Sequence, residues 1–297
     1  MARTPPRAVT LQPRMKAQSK AGIRIEFVDV DGVTLRVATR PGRSGTPLLV
    51  FNGIGANLEL VLPFIDALPE REAIVYDMPG IGRSPLWLLP RRFSGIARMT
   101  EKLLDRLGYG IVDVAGVSWG GAVAQQFARQ CAGRTRRLIL AATSAGAVMV
   151  PGRPRALLKM TTPQRYLSPA YMKRAAADIY GGEVRERPEL ISAHTARIIP
   201  PQFIGYVYQL LAGVGWTSIH WLHKLTQPTL VMAGSDDPLV PPVNARILSL
   251  LIPNNRLHIV AGGGHLFMLH CLDDVIPVIR EFLDAPDGAA AVSRPAA

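Results

Sequence analysis

The six residues Gly116-Val117-Ser118-Trp119-Gly120-Gly121 constrain this chain more than any other stretch. An apolar run, Ile111-Val112-Asp113-Val114-Ala115, leads in, and an alanine-rich amphipathic run, Ala122 to Ala128, leads out. A lone G-x-S-x-G recurs by chance, but strand, sharp turn and helix is the setting in which it carries chemistry. The turn holds the serine in a strained backbone conformation and lifts its hydroxyl above the sheet edge. Glycines two residues to either side let strand and helix pass closely and keep side chains off an approaching substrate. The N–H of Trp119 falls at the helix start, where it can face a developing oxyanion. A nucleophilic Ser118 then requires an acid and a histidine further on, in that order, each just past a strand.

The rest of the chain supplies such strands. Ile23–Asp29 and Val33–Thr39 are β-rich and joined by Asp31-Gly32, a hairpin signal. Leu48–Phe51, Ala73–Tyr76 and Leu138–Ala142 are short and wholly or largely apolar, as strands buried on both faces are. Leu58–Leu68 and Ala97–Leu107 carry helical spacing between them. From Gly146 to Leu225 the alternation stops and short helical patterns with many prolines, tyrosines and basic residues take over. It resumes with Thr229–Ala233 (strand), Val243–Leu251 (helix), Leu257–Val260 (strand) and Val275–Leu283 (helix). The expected fold is α/β, a mostly parallel central sheet with helices on both faces and an inserted helical cap. Its expected limits are a core of 23–145 and 226–284, a cap of 146–225, and disordered tails at 1–22 and 285–297.

The strand Thr229–Ala233 runs into Gly234-Ser235-Asp236-Asp237-Pro238-Leu239-Val240-Pro241. Either aspartate can serve as the acid. The G-x-x-D-x-x-x-P spacing of α/β-hydrolase acid loops favours Asp237, and the bland alternative is that both only shape a turn. Leu257–Val260 runs into Ala261-Gly262-Gly263-Gly264-His265, a loop supple enough to turn the imidazole back toward the serine. Ser118, Asp237, His265 is the order this fold requires. His265 is expected to take the Ser118 proton while Oγ attacks a carbonyl, with Asp237 fixing the tautomer. The N–H groups of Ile54 and Trp119 are the expected oxyanion donors, because Asn52-Gly53-Ile54-Gly55 follows the strand that supplies the second one. The turn after Asp77 is read as structural, since Gly80-Ile81-Gly82 lacks a third glycine and a P-loop lysine. His258 falls inside a strand, and His194 and His270 sit in no motif. His220 and His223 are three apart without a third ligand, so no metal or other cofactor is expected.

Charge narrows the partners. The net charge of +12 is concentrated in residues 1–22 and 151–200, which carry +5 each. No reading helix, RNA-binding motif or zinc knuckle accompanies it, so nucleic acid is not an expected partner. The basic N-terminus has no apolar h-region and does not read as a secretory signal. Two cysteines without C-x-x-C fit a reducing compartment, with Cys131 a packing residue. Ile198 to His223 is uncharged and long enough to span a bilayer, but its prolines, glycines and polar residues argue for an apolar lid and no transmembrane segment. Within it Phe203, Tyr206 and Trp216, together with Asn52 of the oxyanion loop, are candidate substrate contacts. Arg153, Arg155, Lys159, Arg165, Lys173 and Arg174 read as a solvated face, with an anionic surface coat as the lesser alternative.

Longer blocks go beyond the general motifs. FNGIGANLELV (51–61), GVSWGGAVAQQFA (116–128), LAATSAGAVMVPG (140–152) and GWTSIHWLH (215–223) resemble the intracellular medium-chain-length polyhydroxyalkanoate depolymerases. The resemblance spans roughly 25–284, cap included. It implies a cytoplasmic serine hydrolase that cleaves the ester bonds of stored polyester to 3-hydroxyalkanoic acids, in association with the hydrophobic granule. It carries the nucleophile to Ser118, the acid to Asp237 and the base to His265. Many relatives have His-Gly where this chain has Asn52-Gly53, and Ser235 stands where an acidic residue is usual. Alternatives with the same triad are a small-ester carboxylesterase and a C–C bond hydrolase. A non-catalytic granule-binding protein is a third, weighed against by the intact serine, acid and histidine.

Overall fold

A computed structural model describes residues 17–18 and 22–286. The strands are β1 (Ala17–Gln18), β2 (Arg24–Val30), β3 (Val33–Arg40), β4 (Ser44–Phe51), β5 (Arg71–Tyr76), β6 (Val112–Val117), β7 (Thr135–Ala141), β8 (Thr229–Gly234) and β9 (Asn255–Val260). The helices are α1 (Leu62–Asp66), α2 (Phe93–Leu107), α3 (Trp119–Gln130), α4 (Pro154–Met160), α5 (Gln164–Leu167), α6 (Pro169–Tyr180), α7 (Gly182–Glu186), α8 (Leu190–Thr195), α9 (Phe203–Gly213), α10 (Val243–Leu251), α11 (Phe267–His270) and α12 (Leu272–Asp284). The strands form one sheet in the order β1-β2-β3-β5-β4-β6-β7-β8-β9. Pairing is antiparallel from β1 to β5 and parallel from β5 through β4 to β9. The β2–β3 turn has positive φ at both Asp31 (53°) and Gly32 (80°), which matches the twist of a two-residue hairpin.

Successive side chains of the central strands enter two different cores, which is why those strands read as unbroken apolar runs. In β4, Leu49 and Phe51 join α2, α3 and α10 on one face, while Leu48 and Val50 join α1 and α12 on the other. The β7 residues Leu138 and Leu140 alternate with Ile139 and Ala141 in the same way. One polar interruption, Asp113 of β6, is buried but answered by Arg136, whose Nε and Nη2 donate to its two oxygens at 2.9 and 2.7 Å.

Between β7 and β8 the chain leaves the sheet as α4–α9. These helices have a core of their own, including Ala156, Met172, Ile179 and Val184. The excursion closes on itself where Gly146 bridges Thr217, and Leu222 and Leu225 already pack with the α3 side of the sheet. The last residues of the expected 146–225 cap therefore belong physically to the core. The expected tails fall mostly outside the described residues. Where described, they are tied in: β1 pairs with β2, and the carbonyls of Ala285 and Pro286 accept hydrogen bonds from Arg137. The uncharged stretch 198–223 folds as the 11-residue α9 and irregular chain, and no described helix is long and apolar enough to cross a membrane.

Candidate active site

Ser118 stands between β6 and α3 at φ 55°, ψ −120°, a conformation that costs a non-glycine residue about 1–3 kcal/mol. Its neighbours hold it there. The Ser118 N–H donates to Ala141 O (2.9 Å), and its carbonyl accepts from Gly121 N–H (2.9 Å) and Thr143 Oγ1 (2.8 Å). The first residues of α3 press against the end of β4. A Cβ on Gly120 would lie 2.2 Å from Phe51 O, and one on Gly116 would lie 2.4 Å from Gly120 O. The glycines of the motif are thus demanded by close backbone approach.

Asp237 and His265 come from the loops after β8 and β9, which are stitched together by Asp236 N–H to Gly263 O (2.9 Å) and Ser235 N–H to Val260 O (3.0 Å). Asp237 Oδ2 meets His265 Nδ1 at 2.7 Å with both side chains buried. Its other oxygen, Oδ1, accepts the Leu239 and Val240 N–H groups, each at 2.9 Å. Asp236 points elsewhere. Its Oδ2 accepts from Gly182 N–H (2.9 Å) and Arg185 Nη1 (2.6 Å), so it fastens α7 to the acid loop. The same joint reaches the histidine, whose N–H donates to Tyr180 O at 2.6 Å.

Ser118, His265, Asn52, Gly53 and Ile54 line one cleft that encloses about 650 Å³ of space, open solvent at its mouth included. Arg165, Tyr166, Tyr180 and His194 complete its cap side. Ser118 also borders a more open cleft of about 850 Å³ with Trp119, Leu210, Val214 and Trp216. No hydrogen bond joins Ser118 Oγ to His265 among the described residues, a looser arrangement of the kind that tightens when substrate arrives. The Ile54 and Trp119 N–H groups likewise donate to nothing among the described residues. Asn52 bonds within its own loop, Oδ1 accepting Gly53 N–H (3.0 Å) and Nδ2 donating to Asn57 O (2.9 Å). Its side chain therefore shapes the turn that carries Ile54.

The other candidate contacts separate. Trp216 lines the open cleft and stacks edge-on against Phe93. Tyr206 is fully buried, its hydroxyl bonded to Met160 O and Arg165, so it is a wall beneath the cleft. Phe203 is 63% exposed on the outer side of α9. Arg165 departs from the expected solvated face: it is 2% exposed and part of the cleft wall. Asp77 is structural, accepting Leu58 N–H (2.7 Å), Arg83 N–H (3.0 Å) and Arg36 Nη1 (3.1 Å). Burial pushes the Cys131 thiol up to about 12, as suits a packing residue. Burial pulls His194 down to about 3, so it is neutral in the cleft wall. Among the described residues no group of three or more His, Cys, Asp or Glu is gathered as for a metal ion.

The sequence pattern of the alpha/beta hydrolase fold matches residues 46–270. Over 258 residues the chain is 54% identical to a poly(3-hydroxyalkanoate) depolymerase of Ectopseudomonas oleovorans, covering 86% of this chain and 91% of that protein. The chain belongs to the poly(3-hydroxyalkanoate) depolymerase family of α/β hydrolases. It is a serine hydrolase acting on carboxylic esters. A putative carbamate hydrolase of Azorhizobium caulinodans is 27% identical over 75% of this chain and 86% of its own. Among solved structures the depolymerase-family fold is shared by the enol-lactonase from Burkholderia xenovorans LB400, with a TM-score of 0.75 at 19% identity, covering 87% of this chain and all of that one.

Proposed function

We propose that the protein hydrolyses the ester bonds of poly(3-hydroxyalkanoate) held inside the cell, releasing 3-hydroxyalkanoic acids through an acyl-enzyme on Ser118. One observation carries this: Ser118, in its strained turn, shares a cleft with His265, and the far nitrogen of that imidazole is held by buried Asp237 at 2.7 Å. His265 Nε2 takes the Oγ proton as Oγ bonds to the ester carbonyl carbon. The oxyanion sits against the N–H groups of Ile54 and Trp119. The ester C–O bond breaks and His265 passes its proton to the leaving oxygen. Water, deprotonated by the same imidazole, then cleaves the acyl-enzyme and Ser118 recovers its proton.

Contact with the granule is supported by exposed apolar residues on α9 and on the segment before α2. Leu88, Leu89, Phe203, Ile204, Leu211 and Val214 are all exposed, and Tyr208 Oη ties α9 to the Leu88 carbonyl at 3.2 Å. Incubation of the purified protein with polymer granules and with a p-nitrophenyl ester tests the proposal. Hydroxyacids appear from the granules if it holds. Turnover of the small ester without any release from granules would assign the enzyme to small esters or C–C bonds instead.

A further inference from the structure

Among the described residues, one cation in the cleft wall has no anion to answer it. Arg165 of α5 is 2% exposed. Its guanidinium donates to Tyr206 Oη (2.8 Å), Ile54 O (3.1 Å) and Tyr166 Oη (3.3 Å), all of them neutral. It lies 4.4 Å from the centre of the Tyr166 ring. Its Nε is buried and donates to nothing among the described residues. Two other buried arginines meet carboxylates, Arg36 with Asp77 and Glu59 and Arg71 with Asp113, while Arg40 donates to the Leu68 and Arg71 carbonyls, away from the cleft that Arg165 lines. A guanidinium cannot shed its proton, and an unpaired buried charge is strongly disfavoured. Arg165 lines the same cleft as Ser118 and His265, and the planar fork of a guanidinium fits a carboxylate brought by the substrate.

We infer that the cleft holds the free carboxyl end of a 3-hydroxyalkanoate chain, with the terminal carboxylate on Arg165 and the last ester bond at Ser118. The inference rests on the depolymerase assignment above. Direction follows from proton delivery. His265 protonates the leaving oxygen, so the leaving alcohol lies beside His265, within the cleft that Arg165 also lines. For the last ester of a chain, that alcohol is a 3-hydroxy acid carrying the terminal carboxylate. The acyl part runs into the open cleft beside Trp119, Leu210 and Trp216, which can pass a long chain outward. In each cycle the Ser118 Oγ–acyl bond forms and the terminal ester C–O bond breaks. The Oγ proton goes through His265 to the leaving oxygen, and one 3-hydroxy acid departs. Water then supplies hydroxyl to the acyl carbon and a proton, through His265, to Oγ. The chain leaves one unit shorter with a new carboxyl end.

A bracing role is the competing account, because Arg165 touches the carbonyl of Ile54 in the oxyanion loop. The dimer of 3-hydroxyoctanoate, as free acid and as methyl ester, separates the two. The wild-type enzyme should show kcat/KM about 10- to 100-fold higher for the free acid, the range of a charge-assisted hydrogen bond. Arg165→Met should bring that ratio close to one, and Arg165→Lys should keep part of it. A wild-type ratio near one overturns the inference without any variant. So does an Arg165→Met enzyme that slows on both dimers while keeping the ratio. Cleavage of neither dimer, with p-nitrophenyl octanoate still turned over, removes the depolymerase assignment and this inference together. Polymer whose carboxyl ends are methyl-blocked identifies the source of the carboxylate. Slower monomer release points to polymer ends, and unchanged release with the dimer preference intact points to soluble oligomers.

Discussion

Replacing Asp237 by Asn tests the site through a single proton. The side chain has two distinct edges. Oδ1 accepts two backbone N–H groups, from Leu239 and Val240, and Oδ2 faces His265 Nδ1 at 2.7 Å. In Asp237→Asn the amide oxygen keeps the two backbone donors. Flipping it away would leave two buried N–H groups facing an NH₂, at about 2–6 kcal/mol for the pair. The amide NH₂ therefore faces His265 and obliges Nδ1 to accept. The proton moves to Nε2, and the imidazole presents a donor to Ser118 where a base is needed. The expected loss in kcat is about 10⁴, or about 5.5 kcal/mol of barrier. The assay is p-nitrophenyl octanoate turnover, with thermal unfolding to show that the fold persists. Asp236→Asn is the paired control. Its partners are Gly182, Arg185 and, at 3.5 Å, Arg153 in a part-exposed joint, so kcat should stay within about fivefold of wild type. A folded Asp237→Asn enzyme that loses less than about tenfold, or a larger loss at Asp236, would refute the orientation argument.

Three further outcomes follow from the same contacts. Ser118→Ala should lower kcat on the p-nitrophenyl ester by about 10⁶, as serine-triad knockouts do; stopped assays over hours read the residual rate. Gly120→Ala puts a methyl 2.2 Å from Phe51 O, so calorimetry should show a loss of about 1–3 kcal/mol, with a fall in kcat because the displaced strand end carries the Ile54 loop. His194 is held at about 3 by burial, with His270, Arg165 and Arg197 adding to the effect. Its unfolded form gains a proton below the ordinary value of 6.5 and its folded form does not, so stability falls as pH drops from 6.5 toward 3. Denaturant titrations at pH 7 and pH 5 should show His194→Gln losing about 2 kcal/mol less than wild type over that interval.

What the sequence made legible was local. The turn around Ser118, the Asp237 spacing and the glycine-rich approach to His265 are all short-range patterns, and each lies at the end of a strand. Element limits slipped where tertiary contacts decide. Leu58–Leu68 breaks into a 3₁₀ turn at Leu58–Leu60 and α1, with Pro63 unable to donate to the turn before it. Helix α2 begins at Phe93, ahead of the expected Ala97, because that ring packs edge-on against Trp119 and Trp216. The cap side was least readable. Arg165 sits in a four-residue helix with no periodicity, and its partner Ile54 lies 111 residues away. Nothing in a basic, proline-rich stretch distinguishes a buried arginine from a solvated one. Tyr206 and Phe203 share α9 and were equivalent by composition, yet packing buries one and exposes the other.

The most direct test of the account is peptide mass mapping after a rapid acid quench with p-nitrophenyl octanoate. An octanoyl group on the peptide containing Ser118, formed in the burst phase and lost on longer incubation, is the predicted result. Acylation at any other residue, or full turnover with no acyl-enzyme on Ser118 at any quench time, would contradict it.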